Sequence, residues 1–456
     1  MKKALAIIMI ALAASCTIKN DIDYPLVPGN ITDFSVKGQL RVEISEANRT
    51  VHVELPESTP ASNLEIDRLA LSDGARCEEL AVGGIIDLSS PVTVHVRTYQ
   101  DYVWTIFATT RVASEIEVNA WAHHAVFSAD AKGAQVPGIF QWRRSDSGEW
   151  TDGGEISAQA DRFVYDAEGL DAGTDYYVRL TLAGSSSSEI LFTTEAEAQV
   201  ANMSFDEWCQ EPYSSSSSKF SWYPAPDMSV GRVWDSANMG VLTLSSTCST
   251  TPESQFVAVE GDGKQAVRME SMYPSFLGIG RFAAGNLLTG DFIERVMSPS
   301  LGARMLWGTP FTTRPSSLKG YYAYLPKQID HDDINKHPDL IGQTDEMQIL
   351  VMLCDFDEPY EVNTAEGRFI DQEKDPSIIG YGKLETSQAT YADGEDPKYV
   401  PFEIKIEYRD TERKPKYAII NSCASRYGDD FTGAVGSVLY VDEFEFVYEG
   451  GTASMQ

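Results

Sequence analysis

Phe282–Pro326 reads FAAGNLLTGDFIERVMSPSLGARMLWGTPFTTRPSSLKGYYAYLP. Gly285, Gly290, Gly308 and Gly320 punctuate it and supply backbone freedom where turns are needed. Pro310 and Pro315 fix φ and stiffen the run between two aromatic clusters. Leu318–Leu325 then reads as a strand dense in aromatics, with Tyr321, Tyr322 and Tyr324. If Leu318 points to a core, Tyr322 and Tyr324 share its face, and Tyr321 shares the other with Lys319. Short strands between Gly and Pro turns make this a β region. Either its core is unusually aromatic or its tyrosines are presented to a ligand.

The same reading extends outward in both directions. Met347–Leu353 is a continuous apolar run, short enough for a strand buried on both faces. Phe402, Ile404, Ile406 and Tyr408 alternate with charged residues, and Tyr417–Cys423 and Val438–Tyr448 complete the strands of a large domain over 203–449. No long segment has helical periodicity. The expected fold is a jelly-roll β-sandwich. Upstream, Val51, Val53 and Leu55 alternate with His52 and Glu54, and Val92, Val94 and Val96 alternate with polar partners. Residues 31–112 are therefore expected to form one small sandwich and residues 113–195 a second, with Glu195–Gln199 as a polar linker. The whole chain is read as all-β.

Composition narrows the partners. Asp and Glu number 68 against 36 Lys and Arg, giving a formal charge of −32. A chain so acidic lacks the basic footprint that nucleic acid requires, and it gains nothing from anionic lipid. Neutral glycans and divalent cations stay compatible, as does solubility alone. Lys2 and Lys3 precede an apolar run, Ala4–Ala14, too short to span a bilayer. The run ends LAASC and resembles a bacterial lipobox. That resemblance implies a signal peptide over 1–15, lipidation at Cys16, and a tether over 16–30. KNDID at Lys19–Asp23 resembles the export signal of surface lipoproteins of Bacteroidetes. Together these imply a lipid-anchored protein of the outer membrane, exposed on the cell surface. The other five cysteines are scattered with no C-x-x-C, so no zinc pattern exists.

Several runs carry a family resemblance. They are WYP (222–224), WDSAN (234–238), FAAGNL (282–287), GTPFTTRP (308–315), LKGYY (318–322), GDDFTGA (428–434) and VDE (441–443). In order and spacing they resemble the "putative carbohydrate metabolism domain" family of Bacteroidales lipoproteins, with Ala323 standing where Lys is expected. Residues 31–112 resemble immunoglobulin-like domains. LDAGTDYYVRL (170–180) resembles a fibronectin type III module, which implies a corner role for Tyr176.

The sequence contains no P-loop, no G-x-S-x-G and no H-E-x-x-H. Glycoside hydrolysis needs two carboxylates about 5–10 Å apart, and with 68 acids the sequence neither excludes nor nominates a pair. Asp235 is the first acid to test, though an Asp holding a turn accounts for it as well. Sugar binding asks for a flat aromatic face and a few amides or Arg. Trp307, Tyr321, Arg314 and Asn286 have these chemistries and are the candidate ligand-binding residues. In Val438–Tyr448, strict alternation puts Asp442 on the face of Tyr440, Phe444 and Phe446, where a carboxylate needs a partner. The arrangement resembles jelly-roll carbohydrate-binding modules that hold a structural calcium. That resemblance implies Asp442, Asp206 and Glu207 as ligands; simple hydrogen bonding is the other reading. The functional expectation is a surface lipoprotein that binds or handles glycans through its last domain. The alternatives are a glycoside hydrolase with unassigned acids, and an adhesin or assembly subunit with no glycan ligand.

Overall fold

The computed structural model describes residues 28–449 apart from 57–58, 112–114, 132, 230 and 299. Cys16 and the targeting segment lie outside the described residues. The regular structure of the described residues is almost all strand, with a single four-residue α-helix at Asn238–Val241 and two short 3-10 turns.

The first sandwich sets Ile31–Val36, Leu64–Leu71 and Ile85–Ile86 against a four-strand sheet of Arg41–Ser45, Thr50–Pro56, Asp101–Arg111 and Val92–Arg97. Val51, Val53 and Leu55 point inward as their alternation requires, and they close on Trp104 and Phe34. The second sandwich packs Phe127, Phe140, Trp142 and Phe163 between its two sheets. Here the Tyr176 hydroxyl accepts the Asp171 N–H at 2.9 Å, the backbone bond of a corner tyrosine.

The large domain is a two-sheet antiparallel sandwich. One sheet runs Tyr360–Asn363, Gly302–Trp307, Asn286–Val296, Tyr417–Cys423, Met347–Cys354, Ile378–Thr386 and Glu407–Tyr408. The other runs Thr250–Glu253, Ala266–Glu270, Val438–Val447, Ser317–Leu325 and Val400–Lys405. Between them lies the main core, including Leu287, Ile349, Val351, Leu353, Ile420, Leu318, Tyr324, Leu439 and Val441. Met347–Cys354 is buried on both faces. Its even residues Leu350 and Met352 join a second apolar cluster on the back of the larger sheet, with Leu288, Met305, Trp307 and Ile419. That back surface is where the sandwich opens.

Two expectations from the sequence need correction. Alternation along Val438–Val447 breaks, because Glu443 takes φ 48° and the pairing with Ser317–Leu325 shifts between Lys319 and Tyr321. Leu439 and Val441 face the core before this bulge, and Phe444 and Phe446 face it after. Asp442 therefore sits on the opposite side from Phe444. Gly320 stands across from the bulge, where a Cβ would come within 2.6 Å of Phe444. The second correction concerns the linker. The Gln199 side chain donates to Phe446 O at 2.8 Å and accepts Phe446 N–H at 2.7 Å. Tyr448 Oη donates to Ala198 O at 2.7 Å, and Trp234 Nε1 to Ala201 O at 2.8 Å. This segment is stitched onto the large domain rather than slung between domains.

Candidate functional site

On the back of the larger sheet lies a cleft of about 560 Å³. That volume is within the range of small-ligand sites. Strand alternation builds its floor. Residues that point away from the core in the middle strands are polar at one end of the sheet: Gln348, Asn421, Cys423, Tyr381, Lys383 and Glu385. At the other end they are apolar, with Met305, Trp307 and Val362. The walls come from Arg281–Ala284, the short helix, the Phe369–Glu373 loop and the Arg426–Phe431 turn. Gly428 lets that turn close onto Ala284, since a Cβ there would meet the Ala284 methyl at 2.3 Å. Beside the mouth, the hairpin Ser275–Phe276/Ile279–Gly280 exposes Phe276, Leu277 and Ile279, while its flanking residues Pro274 and Arg281 line the cleft.

Most charges here are already answered. Glu385 accepts Gln348 Nε2 at 2.6 Å and pairs with Lys383 and Arg426, each at 3.1 Å. Asp430 pairs with Lys336 at 2.6 Å and with His337 at 2.9 Å. Burial pushes the Cys423 thiol well up, helped by the Asp429 and Asp345 charges, so it carries no thiolate chemistry. Other groups are unanswered. Trp307 is only 4% exposed and Asn421 7%, yet neither Trp307 Nε1 nor Asn421 Oδ1 has a hydrogen-bond partner. Arg281 Nη1 is likewise buried without one. Asp429 takes no hydrogen bond or ion pair from the described residues. Burial, then the Asp430 charge, push its carboxyl up to about 6.

The residues singled out in the sequence scatter. Trp307 and Asn286 line the cleft. The Asn286 side-chain oxygen also accepts Ala237 N–H at 2.9 Å, which fixes the start of the short helix. Arg314 lies instead at the joint with the second sandwich and is 2% exposed. A guanidinium has five N–H groups, and here four donate: Nε to Glu195 (3.0 Å), Nη2 to Ala120 O (2.6 Å), and Nη1 to Asn119 (2.9 Å) and Thr411 O (2.6 Å). Nη2 also lies 2.9 Å from the Glu195 carboxylate. Tyr321 is half-buried on the outer side of the smaller sheet, paired with Pro401 and Asp442, and faces away from the cleft. Asp235 is buried and accepts the N–H groups of Phe292 and Ser236 at 2.8 and 2.7 Å, which is the turn-holding role.

The residues named for calcium do not fit that ion. Lys264 Nζ lies between Asp206 (2.9 Å) and Glu443 (2.5 Å), so an ammonium fills the space between the two carboxylates. Asp442 accepts the N–H groups of Ala258 and Glu443 at 2.7 and 2.9 Å, and Glu207 is exposed. Among the described residues no three His, Cys, Asp or Glu side chains converge as a metal site.

An all-β protein whose last sandwich turns one sheet's back into a ligand-sized cleft, polar at one end and apolar at the other, is the class these observations define. The chain belongs to the "putative carbohydrate metabolism domain" family, whose model matches residues 204–447, and its role is carbohydrate-related. Similar solved structures include a putative glycoside hydrolase from Bacteroides thetaiotaomicron. It is 15% identical, with 94% of this chain and 99% of that chain covered and a TM-score of 0.35. Another, from Bacteroides vulgatus, is 20% identical, with 54% and 96% covered and a TM-score of 0.39. TmCBM61 in complex with β-1,4-galactotriose is 10% identical, with 44% and 87% covered and a TM-score of 0.18. No curated protein matches the chain.

Proposed function

We propose that the cleft binds a glycan, in a protein held at the outer-membrane surface by lipid on Cys16. The observation that carries the binding reading is the pair of unanswered polar atoms on the cleft lining, Trp307 Nε1 and Asn421 Oδ1. A buried donor or acceptor left unpaired costs about 1–3 kcal/mol. A sugar hydroxyl both donates and accepts, so one class of ligand answers both atoms. The aromatic end of the cleft offers apolar surface to the C–H face of a pyranose. A glycan array probed with the full chain tests this, with Trp307→Phe as the partner variant. Binding that Trp307→Phe weakens is expected. A blank array, or a variant that binds like the parent, sinks the reading. Anchoring is tested separately: Cys16→Ala should move the protein from the membrane to the soluble fraction, and unchanged membrane association refutes lipidation.

A second reading rests on Asp429. A desolvated carboxyl that keeps its proton to about pH 6 is the kind of group that protonates a glycosidic oxygen. Glu385, paired with Lys383 and Arg426, is the second carboxylate on the same lining. Release of reducing ends from a bound oligosaccharide, abolished in Asp429→Asn, would make the cleft hydrolytic. Binding without release leaves it a binding site.

A further inference from the structure

Arg281 stands apart from the other arginines of its domain. In a chain where acids outnumber bases 68 to 36, a cation usually finds a carboxylate. Arg232, Arg268, Arg304, Arg368 and Arg413 each have an Asp or Glu partner within 4.0 Å. Arg409 has none but spends Nη2 on Gln372 O at 2.6 Å. Arg281 has neither: among the described residues no carboxylate pairs with it, and Nη1 is buried with no partner. Its guanidinium lies 4.3 Å over the Phe431 ring, which holds the plane from behind, and the residue lines the cleft. Arg295, on the same lining, also lacks an acid and donates only to neutral oxygens, Tyr213 Oη at 2.6 Å and Thr243 Oγ1 at 2.8 Å.

The acids on the lining cancel only part of this charge. Glu385 and Asp430 are already neutralised by the pairs described above. Asp371 is occupied by the N–H groups of Glu373 and Lys374, at 3.1 and 3.0 Å. Asp429 is held protonated in mild acid. Glu373 is the lining acid that keeps an unanswered charge. A guanidinium stacked on a ring, with donors that no protein acceptor takes, is the form in which Arg recognises a carboxylate or a sulfate, through two parallel charge-assisted hydrogen bonds.

We propose that the glycan taken by this cleft carries an anionic substituent, a uronate carboxylate or a sulfate ester, and that Arg281 receives it against Phe431. This rests on the glycan-binding reading and narrows its ligand. The test is titration calorimetry on the full chain at pH 6 and low salt with three probes of matched length. They are an oligogalacturonate, a carrageenan-derived sulfated oligosaccharide and a neutral galacto-oligosaccharide. One charged probe should bind at least about tenfold more tightly than the neutral one, and which one binds tells carboxylate from sulfate. Affinity should fall as salt rises. Arg281→Gln should remove most of that preference, and Arg281→Lys, which keeps the charge but not the fork, should restore only part of it. Lys319→Gln, on the outer side of the other sheet, controls for loss of charge alone, and melting temperatures confirm that each variant is folded. A neutral probe that binds as well as the charged ones, or a preference that survives Arg281→Gln, overturns the proposal and leaves glycan binding standing. If no probe binds, both fall.

Discussion

Two places in this molecule stack an arginine on an aromatic ring, and they differ in one respect. At the joint between the second sandwich and the large domain, Arg314 lies 4.0 Å over the Trp121 ring, and every nitrogen of its guanidinium has an acceptor. In the cleft, Arg281 and Trp307 each keep a buried N–H with nothing to give it to. Residue type does not separate the two places, since both offer guanidinium, indole and amide. The roster of partners does. A completed set of hydrogen bonds marks a structural joint, and the incomplete set beside the cleft is what supports the binding role proposed for it.

The comparison can be broken most decisively at the joint. Arg314→Met removes the guanidinium partner of Glu195 and leaves a buried carboxylate with Lys414 at 3.2 Å and the backbone N–H of residue 314 at 2.9 Å. The expected cost is about 3–5 kcal/mol, seen as a large fall in melting temperature. Loss of less than about 1 kcal/mol would show the joint to be incidental.

Next in size is a dependence on pH. Burial pushes Asp442 up to about 7, with the Glu443 and Asp206 charges adding to it, and burial pushes Asp235 and Asp345 up to about 6. Asp345 is raised even though it accepts from Ser425, Ser437, Ala434 N–H and Glu346 N–H. Each carboxyl thus holds its proton more tightly folded than unfolded, where the ordinary value is 3.8. The stability this contributes is complete below about pH 4 and is lost as pH rises through 6 to 7. Asp442 alone should therefore make unfolding in denaturant cost about 2–3 kcal/mol more at pH 5 than at pH 8, with Asp235 and Asp345 adding about 1 kcal/mol each. A flat profile would mean that hydrogen bonding fully offsets burial at these acids.

Smaller still, and more telling, is a pair of Trp→Phe changes. Trp234→Phe deletes a donor that has an acceptor, Ala201 O, and should cost about 1 kcal/mol of stability. Trp307→Phe deletes a donor that has none, so stability should barely change while glycan affinity falls about tenfold. Equal losses of stability in both variants would erase the distinction between satisfied and waiting groups. The smallest expected effect is that of calcium. With Lys264 between Asp206 and Glu443, melting temperatures in excess calcium and in chelator should coincide. A rise with calcium would show the ion displacing that ammonium.

Much of this architecture is legible in the sequence because period-2 alternation is physical. Val51, Val53, Leu55, Leu318 and Tyr324 all point where their spacing puts them. The bulge at Asp442–Glu443 is not legible, because nothing in VDE announces a glutamate at φ 48°, and one extra residue inverts every face after it. The cleft was half visible. Trp307 and Asn286 come from the aromatic and amide content of one stretch. Asn421 and Gln348 were missed although each left a signal, a lone amide interrupting the apolar runs YAIINSC and MQILVMLC. Arg281 left none that composition can show. Its meaning lies in the absence of an acid nearby in space, just as that of Arg314 lies in Glu195, 119 residues away.

The stitched segment before Met203 has a bearing on where this protein can be cut. Its sequence invites a boundary there, between a fibronectin-like module and a larger domain. Yet the Gln199 side chain stands in for a neighbouring strand's peptide group at Phe446, and Glu195 is the counter-ion of Arg314. Severing the chain at Met203 would strip the last strand of its outside partner and strand a charge in the interior. A piece that keeps both contacts starts before Glu195, and one that also keeps Asn119 and Ala120 as acceptors for Arg314 starts before Ile116 and carries the second sandwich as a buttress to the cleft-bearing domain.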